Sequence, residues 1–147
     1  MHRFVKGVAA VCALIGVCTA AEARQLVPAE KRFWSYDGTL PTCSNADVLD
    51  RLSTRFGQTE HEYWASDLQI VGYDHVSAVA LRPWGLDHIP RNFCRARATF
   101  NDRTVRTVAY AVIEGGGIIG MDFGVEWCVV GLERNYAYAP DCKMESP

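Results

Sequence analysis

From Ser44 to Phe56 the apolar residues Val48, Leu49, Leu52 and Phe56 recur at the spacing of one helical face, with Asp47, Asp50, Arg51 and Arg55 off it. Ser44 is placed to cap the N-terminus, and Asp47 puts a carboxylate in the first turn, where the helix dipole favours it. Asp47 and Arg51 form an i, i+4 pair. Gly57 offers a stop, but Glu60, His61 and Glu62 suit a helix, so continuation to Trp64 is expected. The pattern then changes. Leu68 to Leu81 is rich in Val, Ile and Tyr and predicts a strand, with a bulge or bend at Gly72. Arg82 to Pro90 holds two prolines and a glycine and reads as a loop. Asn92 to Phe100 alternates, with Cys94, Ala96, Ala98 and Phe100 on one face and Phe93, Arg95, Arg97 and Thr99 on the other. Asn101-Asp102 is a hairpin turn signal leading to a strand over Arg103 to Glu114. Gly115-Gly116-Gly117 ends it. A further strand is expected over Met121 to Leu132, and a short last one over Tyr136 to Ala139.

One helix followed by about four antiparallel strands predicts an α+β domain, because the helical stripe must be buried on one sheet face. The expected architecture is a curved sheet wrapped around the helix, as in cystatin-like folds; a small open barrel is the alternative. The chain has 147 residues, of which 49% are hydrophobic and 22% charged, which excludes a disordered tail or a coiled-coil rod.

The N-terminus follows a different pattern. Arg3 and Lys6 precede an uncharged run from Val8 to Ala20, and Ala21-Glu22-Ala23 supplies small-x-small residues. Residues 1–23 read as an export signal. The run is short for a membrane anchor, which takes about 20 apolar residues. Val17 is too bulky before Cys18 for a lipid-attachment site. Residues 24–42 form an extended lead-in, whose Phe33, Trp34 and Tyr36 are expected to pack onto a single domain at 43–147. Losing Arg3, Lys6 and Glu22 takes the formal net charge from −2 to −3, which argues against a nucleic-acid partner. No stable membrane insertion is expected after cleavage.

Cys12 and Cys18 leave with the signal, and Cys43, Cys94, Cys128 and Cys142 remain. Four scattered cysteines in an exported chain, without Cys-x-x-Cys, predict two disulfides and no metal site. If Phe100 faces Arg103, Cys94 lies opposite Ala109; if the glycine turn joins the next pair, Cys128 lies opposite Thr104. Those positions are about 16 Å apart along the shared strand, too far for a bridge. Cys43–Cys94 with Cys128–Cys142 is therefore preferred.

No Gly-x-Ser-x-Gly elbow, P-loop, His-Glu-x-x-His or dinucleotide fingerprint occurs, and no cofactor is expected. Asp74-His75 and Asp87-His88 are adjacent pairs, but neighbours on a strand point to opposite faces, so no catalytic residue is assigned. Asp122 and Glu126 would share a strand face about 13 Å apart, wider than glycosidase carboxylates. The remaining hint is basic. Arg91, Arg95, Arg97, Arg103 and Arg106 cluster on one hairpin, and the expected register sets Arg106 opposite Arg97. Opposed like charges destabilise a sheet unless water, Asp102, Glu114, Glu126 or an anionic partner offsets them. Arg95, Arg97 and Arg106 are thus candidate binding residues, together with Trp84 in the proline-bounded loop.

The segments Asn92-Phe-Cys-Arg-Ala-Arg, Asn101-Asp-Arg-Thr-Val-Arg-Thr-Val and Gly124-Val-Glu-Trp-Cys through Asp141-Cys142 resemble a group of small uncharacterised exported bacterial proteins with four mature cysteines. The resemblance implies a bacterial periplasmic or secreted setting and brings no activity. The resulting expectation is a non-enzymatic binding module for an envelope protein or an anionic envelope component. A hydrolase of envelope polymers using His75 or His88, and a small-ligand carrier, are the alternatives.

Overall fold

The computed structural model describes residues 40–82, 89–117, 120–134, 136–138, 141–145 and 147. The signal-like segment 1–23 and most of the lead-in, with its aromatic trio, lie outside the described residues, as do Trp84 and His88.

Helix α1 spans Ala46–Trp64. Its N-cap is Asn45, not Ser44: the Asn45 side chain accepts the Asp47 N–H at 2.8 Å, so the helix begins one residue later than expected. It runs through Gly57, whose missing side chain faces only Gln69. It ends where Ala65 turns left-handed at φ 48°. Val48, Leu52, Phe56 and Glu60 form the buried stripe, each four residues from the last.

Four strands follow: β1 Ile70–Arg82, β2 Arg91–Phe100, β3 Val105–Ile113 and β4 Gly124–Val129. They form an antiparallel open sheet in sequence order, so the fold is α+β with a curved sheet and not a closed barrel. Tyr136–Tyr138 is not a strand; Tyr136 has φ 53°, which breaks extended backbone. The C-terminus instead forms a 3-10 turn, Lys143–Glu145, against β3 and β4.

Helix-side residues of the sheet, among them Ala96, Ala98, Phe100, Val108, Tyr110 and Val125, close the main core around the α1 stripe. Phe56 meets Phe100 edge-on at 5.5 Å between ring centres. The buried Tyr110 hydroxyl donates to the Cys43 carbonyl at 2.8 Å and ties the helix entrance to the sheet.

The pairing registers differ from those expected. The turn after Phe100 takes residues 101–103, because Phe100 N–H reaches the Thr104 carbonyl and Asp102 holds Thr104. This moves β3 by one residue, so Cys94 faces Tyr110 and Arg97 faces Thr107. A longer connection before β4 sets Cys128 opposite Ala109.

The disulfides are Cys43–Cys94 and Cys128–Cys142. That is the expected pairing, but distance along β3 does not enforce it. Cys94 and Cys128 face neighbouring residues of β3 and are separated because Cys94 lies on the helix side and Cys128 on the other. On that outer face Cys128, Cys142 and Ala109 pack with Tyr138, so the second bridge pins the tail over β4.

Candidate functional site

The basic hairpin is not one patch. Arg95 and Arg97 share the outer face of β2, but Arg106 pairs with Ala98 and lies on the helix side. A single residue of register moves it there. Its Nε is buried without a hydrogen-bond partner among the described residues, and its guanidinium abuts Gly131. Arg97 is matched internally, giving Nε and one NH2 to the Asp74 carboxylate at 2.6 and 2.9 Å. Those bonds, with a smaller one from His75, hold the Asp74 pKa down at about 2. Arg91 pairs with Glu126 at 2.8 Å. Among the described residues Arg95 alone of Arg95, Arg97 and Arg91 has no carboxylate within salt-bridge distance.

The Asp74-His75 pair also departs from expectation. Pairing with β2 slips between Asp74 and Ser77, and His75 adopts φ 51°. The bulge breaks strand alternation and brings His75 Nδ1 to 2.7 Å from Asp74 Oδ1. The carboxylate thus orients the exposed imidazole, while its own oxygens also hold Arg97.

An aromatic-lined concavity lies elsewhere. A crevice of about 330 Å³ separates the C-terminal half of α1 from β4 and the loop after it, within the usual size of ligand sites. Phe56 and Trp64 come from the helix, Trp127 from β4, and Arg134 and Tyr138 from the loop. Arg55 lies 5.1 Å over the Trp127 ring and donates to the Val125 carbonyl at 3.1 Å. Arg134 lies 4.9 Å over Trp64 and donates to the buried Glu60 carboxylate at 3.0 Å. Glu133 accepts the Tyr138 N–H. Two guanidinium groups therefore lie over indole rings, combining apolar surface with directed donors.

Sequence patterns left this crevice unmarked, because its walls belong to three segments. One sign was present: Glu60 continues the 48, 52, 56 stripe, and a carboxylate there requires a partner. Arg134 supplies it from beyond β4. The sulfurs of Cys128 and Cys142 and the Glu133 carboxylate converge within 4.8 Å, but the sulfurs are joined as a disulfide and offer no thiolate. Outside the crevice wall, Glu145 is buried, and burial first, then Glu126, push its pKa up to about 7.

Compared with models of known protein families, with curated proteins and with solved structures, the chain has no match. Among the described residues no helix is long and apolar enough to cross a membrane.

Proposed function

We propose that this is an exported, non-enzymatic envelope domain of cystatin-like build that binds a partner protein through the α1–β4 crevice. The signal-like segment 1–23, the resemblance to exported bacterial proteins and the two disulfides support the periplasmic or secreted setting. The observation that carries the binding reading is the crevice itself, where Arg134 and Arg55 lie over the Trp64 and Trp127 rings. Aromatic and arginine side chains held rigidly in a concavity are what protein interfaces use as anchors. An anionic component held by the basic hairpin has less support, since Arg97 and Arg91 are already matched and Arg106 is on the other face.

The test is a crosslinked pull-down from the envelope with wild type, with Trp64→Ala plus Arg55→Gln, and with Arg95→Ser plus Arg97→Ser. A protein lost only with the crevice variant is the expected result. Loss only with the Arg95 and Arg97 variant returns the site to the basic face, and equal capture by all three overturns both.

A second reading rests on the His75–Asp74 contact at 2.7 Å. An imidazole so oriented presents its Nε2, which has no hydrogen-bond partner among the described residues, as the general base of a hydrolase of envelope polymers. Hydrolysis of peptidoglycan by wild type and its loss in His75→Gln would favour that reading over the binding module.

A further inference from the structure

Hydrogen bonding along β4 alternates. The Val130 N–H reaches the Thr107 carbonyl, so residues 124, 126, 128 and 130 direct their backbone groups at β3. Phe123, Val125, Trp127 and Val129 direct theirs away from the sheet, at its free edge. Most of the outward carbonyls are taken. Arg51 donates to Phe123, Arg55 to Val125, and the Leu132 N–H to Val129. The N–H groups of Val125, Trp127 and Val129 and the carbonyl of Trp127 have no partner among the described residues. These four groups border the crevice, which Val125, Trp127 and Val129 line.

We infer that the crevice takes an extended peptide segment of the partner protein as a fifth antiparallel strand on β4. This rests on the binding reading above and specifies its mode. Strand addition satisfies open edge groups with main-chain bonds and reads alternate side chains in the adjoining groove. The window is donor-rich, with three N–H groups to one carbonyl. Among the described residues Arg55 beside it has no carboxylate within salt-bridge distance. Both features call for a ligand that supplies acceptors and, beside Arg55, negative charge; of the crevice carboxylates Glu60 is matched by Arg134, Glu126 by Arg91, and Glu133 accepts the Tyr138 N–H. The peptide residue opposite Trp127 faces the helix side next to Arg55 and is acidic. That residue gives both its N–H and its carbonyl. Its neighbours two positions away, opposite Val125 and Val129, give only carbonyls, because the β4 carbonyls there are already occupied.

The probe is the blocked heptapeptide acetyl-Thr-Val-Thr-Glu-Thr-Val-Thr-amide, titrated into the disulfide-intact protein. Amide exchange at Val125, Trp127 and Val129 is followed by NMR. Binding is expected to slow exchange at these three amides. N-methylation of the central Glu is expected to weaken binding about tenfold, the weight of one lost hydrogen bond. N-methylation of both Val residues is expected to leave affinity within about twofold, since no hydrogen bond is lost there. Because the methyl groups are on the peptide, protein folding does not enter the comparison. Equal binding by the central N-methyl peptide, or no protection at Trp127, overturns strand addition. If the envelope partner is still lost with the Trp64 and Arg55 variant in that case, the crevice stands as a protein site and only the mode falls. If neither result appears, both fall.

Discussion

The two edges of the sheet are guarded in different ways. β1 is long, 13 residues, and leaves Val71, Val79 and Leu81 exposed. Its pairing slips at three places, and His75 turns the backbone to φ 51°. An incoming strand finds no regular ladder there, which is how bulges blunt an edge. β4 is only six residues long and its register with β3 is unbroken. It is guarded by side chains: Arg51 and Arg55 from the helix cover its carbonyls, and the turn to Leu132 covers the end. Backbone irregularity closes an edge along its length. Side-chain caps close it only where they reach, and leave a regular window between them.

The largest expected effect is on the side of β4. Replacing both Cys128 and Cys142 with Ser releases the tail from the outer face, and loss of a bridge closing this short loop is worth about 3 kcal/mol in chemical denaturation. The native-state exchange of β4 amides is expected to rise with it, while that of β1 stays unchanged.

Next comes removal of the arginine caps. Arg51→Met with Arg55→Met uncovers the carbonyls of Phe123 and Val125. About 1–3 kcal/mol of stability is expected to go with the lost charge-assisted bonds. The longer open edge is expected to self-associate as concentration rises, seen by sedimentation. Breaking Arg97 from Asp74 on β1 by Arg97→Met should leave the protein monomeric. Self-association of that variant instead would reverse the assignment of the two edges.

Titration separates the edges in opposite directions. Asp74 has its pKa lowered to about 2 from 3.8 by Arg97 and then His75. Its contribution to stability is present above the unfolded value and is lost as pH falls from about 4 towards 2. Glu145 has its pKa raised from 4.5 to about 7, so the native state holds its proton more tightly. Its contribution is complete below 4.5 and is lost as pH rises towards about 7. Glu126 and Arg91 face it from β4 and β2. Denaturation midpoints between pH 4 and 8 are expected to fall for wild type and to flatten for Glu145→Gln. Asp74→Asn should remove only the acid limb.

The smallest effect is at the β1 bulge. His75→Gly relieves a left-handed backbone in a β-carbon-bearing residue but gives up the Asp74 contact. A net gain of about 0.5 kcal/mol is expected. Peptide binding at β4 should be unchanged.

Residues close in sequence made much of this molecule legible. The stripe of Val48, Leu52 and Phe56 depends only on helical period, and the alternation of Cys94, Ala96, Ala98 and Phe100 only on strand period. The helix, the four strands and their burial faces on β2 followed from these local rules. The disulfide partners agree with the expected pairing, but for a different reason. Cys94 and Cys128 face neighbouring residues of β3, and it is the face each occupies that keeps them apart.

What tertiary structure alone decided is register and everything that depends on it. Turn signals mark where a chain reverses, not how many residues the reversal takes. Asn101-Asp102 marked the turn, but Asp102 and Thr104 extended it, and one added residue carried Arg106 from the outer face to the helix side. A slipped pairing between Asp74 and Ser77 likewise turned His75 onto its neighbour's carboxylate. The crevice needed α1, β4 and the loop at Arg134 to meet, and its open edge exists only because the arginine caps stop short of Trp127. Periodicity is written residue by residue and survives in the sequence. Register is a sum over turns, bulges and packing, and is settled only when the chain closes on itself.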